Sequence, residues 1–200
     1  MDMIRLVGRA ACILCMAGAA QAATESFESP ALTADFNWSG VTSVLECATY
    51  FTQDTGYCRG LVDGDSVGYS WNSVGSPASI TSNIGAFDFN GVYITAAWEN
   101  GLGVSIQGLS GGVVTYSQDF LIDDDAPLWT ASNFVGIDEL RIWTTPGVDA
   151  GTPGGGSFVA LDLFTFNEAI LVAPVPLPAG LPLLVAGLAG LGVLRSRRTA

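Results

Sequence analysis

Carboxylates dominate the reactive side chains of this chain: nineteen Asp and Glu stand against seven Arg, with no histidine and no lysine. Without histidine the Ser-His-Asp and Cys-His arrangements and the histidine-bearing zinc sites are excluded. Without lysine there is no Schiff-base chemistry and no phosphate-loop lysine. Gly151-Thr-Pro-Gly-Gly-Gly156-Ser157 has the glycines of such a loop, but Ser157 stands where the lysine must be. What remains is carboxylate chemistry. A glycosidase uses two such groups about 5–10 Å apart, one with a raised pKa. A chain this acidic brings some pair to that distance by density alone, so a carbohydrate-active enzyme using paired carboxylates is the alternative reading, not the leading one. Asp123-Asp-Asp125 and Asp63-Gly-Asp65 could offer oxygens to a hard cation. Both read first as solvated turns, and the second lacks the other ligands of an EF-hand loop.

Two cysteines, Cys12 and Cys15, fall in the N-terminal apolar run; Cys47 and Cys58 remain in the body. In an oxidising compartment that pair reads as a disulfide, closing a short loop with about 3 kcal/mol of stabilisation. Aromatic rings are the other feature with recognition chemistry, because an indole can stack on the face of a sugar. Of Trp38, Trp71, Trp98, Trp129 and Trp143, strand positions favour core, and Trp129, after the Asp run and Pro127, is expected to be exposed. Eighteen of the acidic residues lie between 23 and 179, against Arg59 and Arg141 alone. Nucleic acid and anionic lipid are therefore not expected partners, since almost nothing can neutralise phosphate.

The elements that must position these groups read as strands. Residues 92–98 and 113–122 are rich in β-branched and aromatic side chains, and Val104 and Ile106 alternate in 102–108. Glu99-Asn100-Gly101 and Gly111-Gly112 supply turns between them. In 134–145 the alternation of Ile137, Leu140 and Ile142 is imperfect, which leaves room for a bulge. Residues 158–166 are read as placing Phe158, Ala160, Asp162, Phe164 and Phe166 on one face. The glycine-rich stretch 146–157 reads as a long exposed loop. Turn signals recur every 8–12 residues or so, with no sustained helical period, so the fold class expected for 23–172 is all-β, a jelly-roll-like β-sandwich.

Two apolar ends flank that body. Residues 1–22 read as a signal peptide: Arg5 and Arg9, then an apolar run, then a small-residue site that places cleavage between Ala22 and Ala23. Residues 173–200 carry four prolines, then an apolar run predicted as a single transmembrane helix over about 179–194. Its length of roughly 21–24 Å is short for a hydrocarbon core of ~30 Å. Arg195, Arg197 and Arg198 stop it and hold that end cytoplasmic, which puts the body on the far side of the membrane.

Val175, Pro176, Leu177, Pro178, Ala179 and Gly180, followed by the short apolar helix and the arginine cluster, resemble the VPLPA-CTERM variant of the PEP-CTERM sorting signal. The resemblance implies an exported protein, anchored before processing, recognised by an exosortase-type enzyme, and destined for the cell surface or extracellular matrix. The body is expected to be a binding or structural module, with extracellular polysaccharide as its partner by family analogy. Ser26-Phe-Glu28 near the start of the body and Asp162 near its end are similar to the arrangement in carbohydrate-binding-module-like jelly rolls. That resemblance implies that Glu28 and Asp162 meet on adjacent strands and share a structural calcium.

Overall fold

In the computed structural model the described residues are 23–29, 31–50, 54–70 and 75–169. The expected signal peptide with Ala22, the sorting motif at 175–180, the membrane helix, the arginine cluster and Trp71 lie outside them. Among the described residues no helix is long and apolar enough to cross a membrane.

Two antiparallel sheets form the body. The larger runs in the order β10 (Leu128–Trp129), β6 (Phe87–Ala96), β14 (Val159–Phe166), β4 (Ser66–Ser70), β3 (Val41–Glu46), with β1 (Ala23–Glu25) also paired to β14 and β11 (Phe134–Ile137) to β6. The smaller runs β2 (Phe36–Ser39), β5 (Ala78–Ser82), β12 (Glu139–Thr145), β8 (Leu102–Ser110), β9 (Val113–Ile122). Strands adjacent in the chain repeatedly lie in opposite sheets, which makes the body a β-sandwich as expected. Ala23, the expected new terminus, opens β1 opposite Phe166.

Alternation builds the interior. Ile94 and Leu161 from the larger sheet meet Ile80, Ile106 and Leu140 from the smaller in one buried cluster. At its centre Phe36 packs edge-on against Phe87, Phe164 and Phe166 at 4.8–5.7 Å between ring centroids. Such aromatic pairs add about 0.5–1.5 kcal/mol each beyond area burial. Gly111 and Gly112 both have positive φ in the tight turn joining β8 to β9, the conformation that a primed turn demands.

Three readings of the sequence need correction. The late strand does not keep one face: Val159, Leu161, Phe164 and Phe166 point into the core, while Ala160 belongs to a second cluster. The pairing register shifts between Asp162 and Thr165, where Leu163 takes φ of +50°, so the side-chain parity reverses there. The 146–157 stretch is largely exposed as expected, but it is pinned and not a free loop: β13 (Val148–Asp149) pairs with β7 (Glu99–Asn100), and Glu99 accepts from the Gly147 amide and the Ser157 hydroxyl. Asp123–Asp125 is not merely a solvated turn either. Asp123 caps the Gly101 amide at 2.7 Å, and Asp124, 4 % exposed, pairs with Arg59 at 2.8 Å.

Candidate functional site

Each sheet has an outer face, and the two are treated differently. Over the larger sheet the chain lays a cover made of α1 (Cys47–Tyr50), α2 (Gly56–Arg59) and the loop to β4. Beneath it Tyr57, Val67, Ala97 and Ala160 form the second buried cluster, with Tyr69, Trp98 and Phe158 packed around them. Four apolar residues are too few to hold a segment rich in turns, so polar ties supplement them.

Asp162 and Glu28 are those ties. Asp162, 1 % exposed, accepts the amides of Val62 and Asp63 at 2.8 and 3.0 Å on one oxygen and that of Leu163 at 2.8 Å on the other. Glu28 accepts the amides of Asp65 and Ser66, each at 3.2 Å. The two predicted residues are thus brought to the same loop, close enough that the Glu28 charge acts on Asp162. Burial pushes the Asp162 carboxyl above its ordinary value, against the lowering effect of its three amide donors. A hard cation requires six to eight oxygens. Here the Asp63-Gly-Asp65 loop turns N–H groups toward both carboxylates, and no group of three or more ligating side chains gathers among the described residues. This donor set does not fit calcium. It fits a clamp.

Cys47 and Cys58 are brought together under the same cover. Both are free thiols in this structure, near enough that Cys58 acts on the titration of Cys47, and Cys47 is buried. Burial, the Cys58 neighbour and the charges of Asp65 and Asp162 push the Cys47 thiol up to about 12.

The outer face of the smaller sheet has no such cover. Inward Leu140 and Ile142 leave Glu139, Arg141 and Trp143 pointing out along β12. The register then sets Trp143 beside Ser105, and Ser105 beside Asp119; one step on, Arg141 lies beside Gln107, and Gln107 beside Ser117. Arg141 holds Glu139 through two bonds of 2.7 and 2.9 Å, and the Ser79 hydroxyl donates to the same carboxylate at 2.6 Å. That pairing holds the Glu139 carboxyl below its ordinary value. Small residues flank the indole, with Ser105 at its side and Gly103 one row on. They leave a groove of about 420 Å3 whose walls are Trp143 and Thr145 on one side and Asp119 and Leu121 on the other. The Trp143 Nε1 is buried without an acceptor, which costs about 1–3 kcal/mol. The indole is therefore not placed there by its own hydrogen bonding.

Strand position made Trp143 read as core in the sequence, and the groove was missed. The missed signal is parity, since Leu140 and Ile142 alternating inward force residue 143 outward. Trp129 is exposed as expected, at 38 %, on the other sheet.

No protein-family model matches this chain, and no curated protein matches it. Among solved structures it is similar to TmCBM61 in complex with β-1,4-galactotriose, at a TM-score of 0.39 and 14 % sequence identity, over 72 % of this chain and 95 % of that one.

Proposed function

We propose that this chain is an exported surface protein whose β-sandwich binds neutral polysaccharide on the outer face of its smaller sheet. One observation carries the reading: an outward indole, Trp143, set in an open groove among Asp119, Ser105 and Thr145. A sugar offers a C–H face, which stacks on an aromatic ring, and a rim of hydroxyls, each both donor and acceptor. The groove supplies the ring and mixed polar groups in that relation. Arg141 is already paired with Glu139, so among the described residues this face offers no unpaired cation to draw a polyanionic chain, and Asp119 repels one.

Hydrolysis fits this arrangement less well. It needs an exposed carboxyl kept protonated beside an ionised one. Glu139 is held ionised by Arg141, and Asp162, whose pKa is raised, is buried on the opposite side of the sandwich. Delivery is proposed from the two ends: signal-peptide cleavage before Ala23, anchoring by the C-terminal apolar helix, and processing by an exosortase-type enzyme at the motif around Pro176–Pro178, leaving the body at the cell surface or in the matrix. Mass spectrometry of the protein from membrane and medium tests this, and one full-length species in the cytosol would end it.

Affinity electrophoresis of the full-length chain through gels containing dextran, hydroxyethyl cellulose or β-1,4-galactan tests the binding. Trp143→Ala should lose on the order of tenfold in affinity for whichever polymer retards the parent. Equal migration of parent and variant in every gel would overturn the reading.

A further inference from the structure

We infer a second sugar-binding site, on the outer face of the larger sheet at Trp129, which makes the module bivalent. The inference rests on the sugar-binding reading of the Trp143 groove, and its own evidence is separate. Trp129 is exposed, yet its ring is fixed. It lies directly on Gly91, where any Cβ would sit 2.7 Å from an indole carbon. The next residue, Thr130, is fully buried and bonds both backbone groups of Val92, donating to its carbonyl at 2.9 Å and accepting its amide at 3.3 Å. Tyr93 packs beside the indole at 5.0 Å between centroids, tilted by 51°. An exposed indole braced this way by a half-buried tyrosine loses little freedom when a ligand stacks on it.

Polar groups suited to sugar hydroxyls surround the pair. Thr24 and Thr165, in register across β1 and β14, bring their hydroxyl oxygens within 3.5 Å of each other at the pocket wall. Glu168 completes it, its backbone held from both sides by the Asn90 amide, which donates to the carbonyl at 3.1 Å and accepts the N–H at 2.9 Å. The resulting pocket measures about 270 Å3 and, among the described residues, is lined by no basic side chain. Its chemistry is therefore that of the first groove: one aromatic surface, hydroxyls and one carboxylate, fitted to a neutral sugar ring.

The two sites lie on opposite outer faces of the sandwich, so one ligand chain cannot reach both by running along a single sheet. Each molecule can instead hold two polysaccharide chains at once and cross-link them, a property expected of a matrix component.

The test uses the full-length chain and the neutral polymers named above, with alginate as the anionic contrast. Light scattering reports cross-linking, and affinity electrophoresis reports binding. With any neutral polymer that retards the parent, the parent should raise scattering. Trp129→Ala and Trp143→Ala should each still be retarded but lose the scattering, and the double variant should migrate freely. Trp129→Phe, which keeps a stacking ring, should restore scattering. Undiminished scattering from Trp129→Ala would overturn the second site while leaving the Trp143 reading intact. Binding lost completely in Trp143→Ala alone would do the same. A parent that no neutral polymer retards would remove both readings together.

Discussion

The two outer faces of this sandwich start from the same construction and end differently. On the larger sheet part of the outer surface holds a cover: Asp162 and Glu28 accept amides of the 62–66 loop, Arg59 of α2 reaches Asp124, and two thiols meet beneath. On the smaller sheet the polar residues hold one another. Glu139 binds Arg141 and Ser79, and Trp143 opens to a groove. Carboxylates therefore do opposite work on the two sides. Those under the cover of the larger sheet, Asp162 and Glu28, are used up by the backbone and contribute stability, whereas Asp119 of the smaller faces the groove and is available to a ligand. Acidic composition alone does not distinguish these uses; the partner of each oxygen does.

The largest effect should come from cutting the clamp. Asp162→Ala leaves three amides without an acceptor, and at about 1–3 kcal/mol for each that stays buried the loss should be about 3 kcal/mol or more in equilibrium unfolding. Binding at Trp143, on the other sheet, should be unchanged at temperatures where the variant is folded. The pH dependence has a definite sign. An acid whose folded pKa lies above its unfolded one binds protons more tightly when folded. Its contribution is therefore greatest below the ordinary aspartate value near 3.8 and declines as pH rises through the raised folded value. Asp162→Asn, which cannot titrate and loses one acceptor oxygen, should be less stable throughout and should lack that decline. An unchanged slope would mean that another group sets it.

Next in size is the cysteine pair. Cys47 and Cys58 are free thiols and already neighbours, and exposure to oxidant should join them. Closing the short loop should add about 3 kcal/mol, read as the difference in unfolding between oxidised and reduced protein. With its thiol pushed up to about 12, buried Cys47 should alkylate far more slowly than Cys58 in the reduced form. Equal rates would show that the cover opens faster than the reagent reacts.

A smaller effect is expected from the smaller sheet. Trp143→Ala should weaken polymer binding on the order of tenfold, equivalent to about 1.4 kcal/mol. Its effect on stability should be slight, because the residue lies outside the interior and its Nε1 makes no bond that the substitution would break. A large loss of stability with unchanged binding would reverse the roles assigned to the two faces.

Much of this difference could be read from residue order, and some could not. The strand at 113–122 matches the expectation end to end, because two glycines with positive φ set the turn before it and β-branched residues fill its start. The bulge expected in 134–145 falls between Phe134 and Ile137, where the pairing of β11 with β6 shifts register, and at Asp138 the chain passes from the larger sheet into β12 of the smaller. The early strands escaped, since β1 and β2 are only three and four residues long and depend on pairing with distant β14 and β5. Asp162 reads from the sequence as a carboxylate on an apolar face, and its partner is the backbone of residues a hundred positions away. No local pattern encodes that. The Trp143 groove is legible by parity, because Leu140 and Ile142 face inward, whereas the hydrophobicity of an indole in a strand points the other way, to the core.

The smallest expected effect concerns calcium, and it separates clamp from metal site. If Glu28 and Asp162 held a cation, their oxygens would face carbonyls and other carboxylates through it, and chelation would release the loop at a cost comparable to losing Asp162. The oxygens instead accept amides of Val62, Asp63, Asp65 and Ser66, bonds that a cation of like charge to the N–H dipoles would oppose. Unfolding of the full-length chain with excess EDTA and then with added calcium should therefore give the same midpoint, while Glu28→Gln, which keeps one acceptor oxygen, should lose about 1 kcal/mol. A midpoint that rises with calcium in the parent and not in Glu28→Gln would mean that the loop can turn its carbonyls inward, and the larger sheet would then hold its cover by an ion.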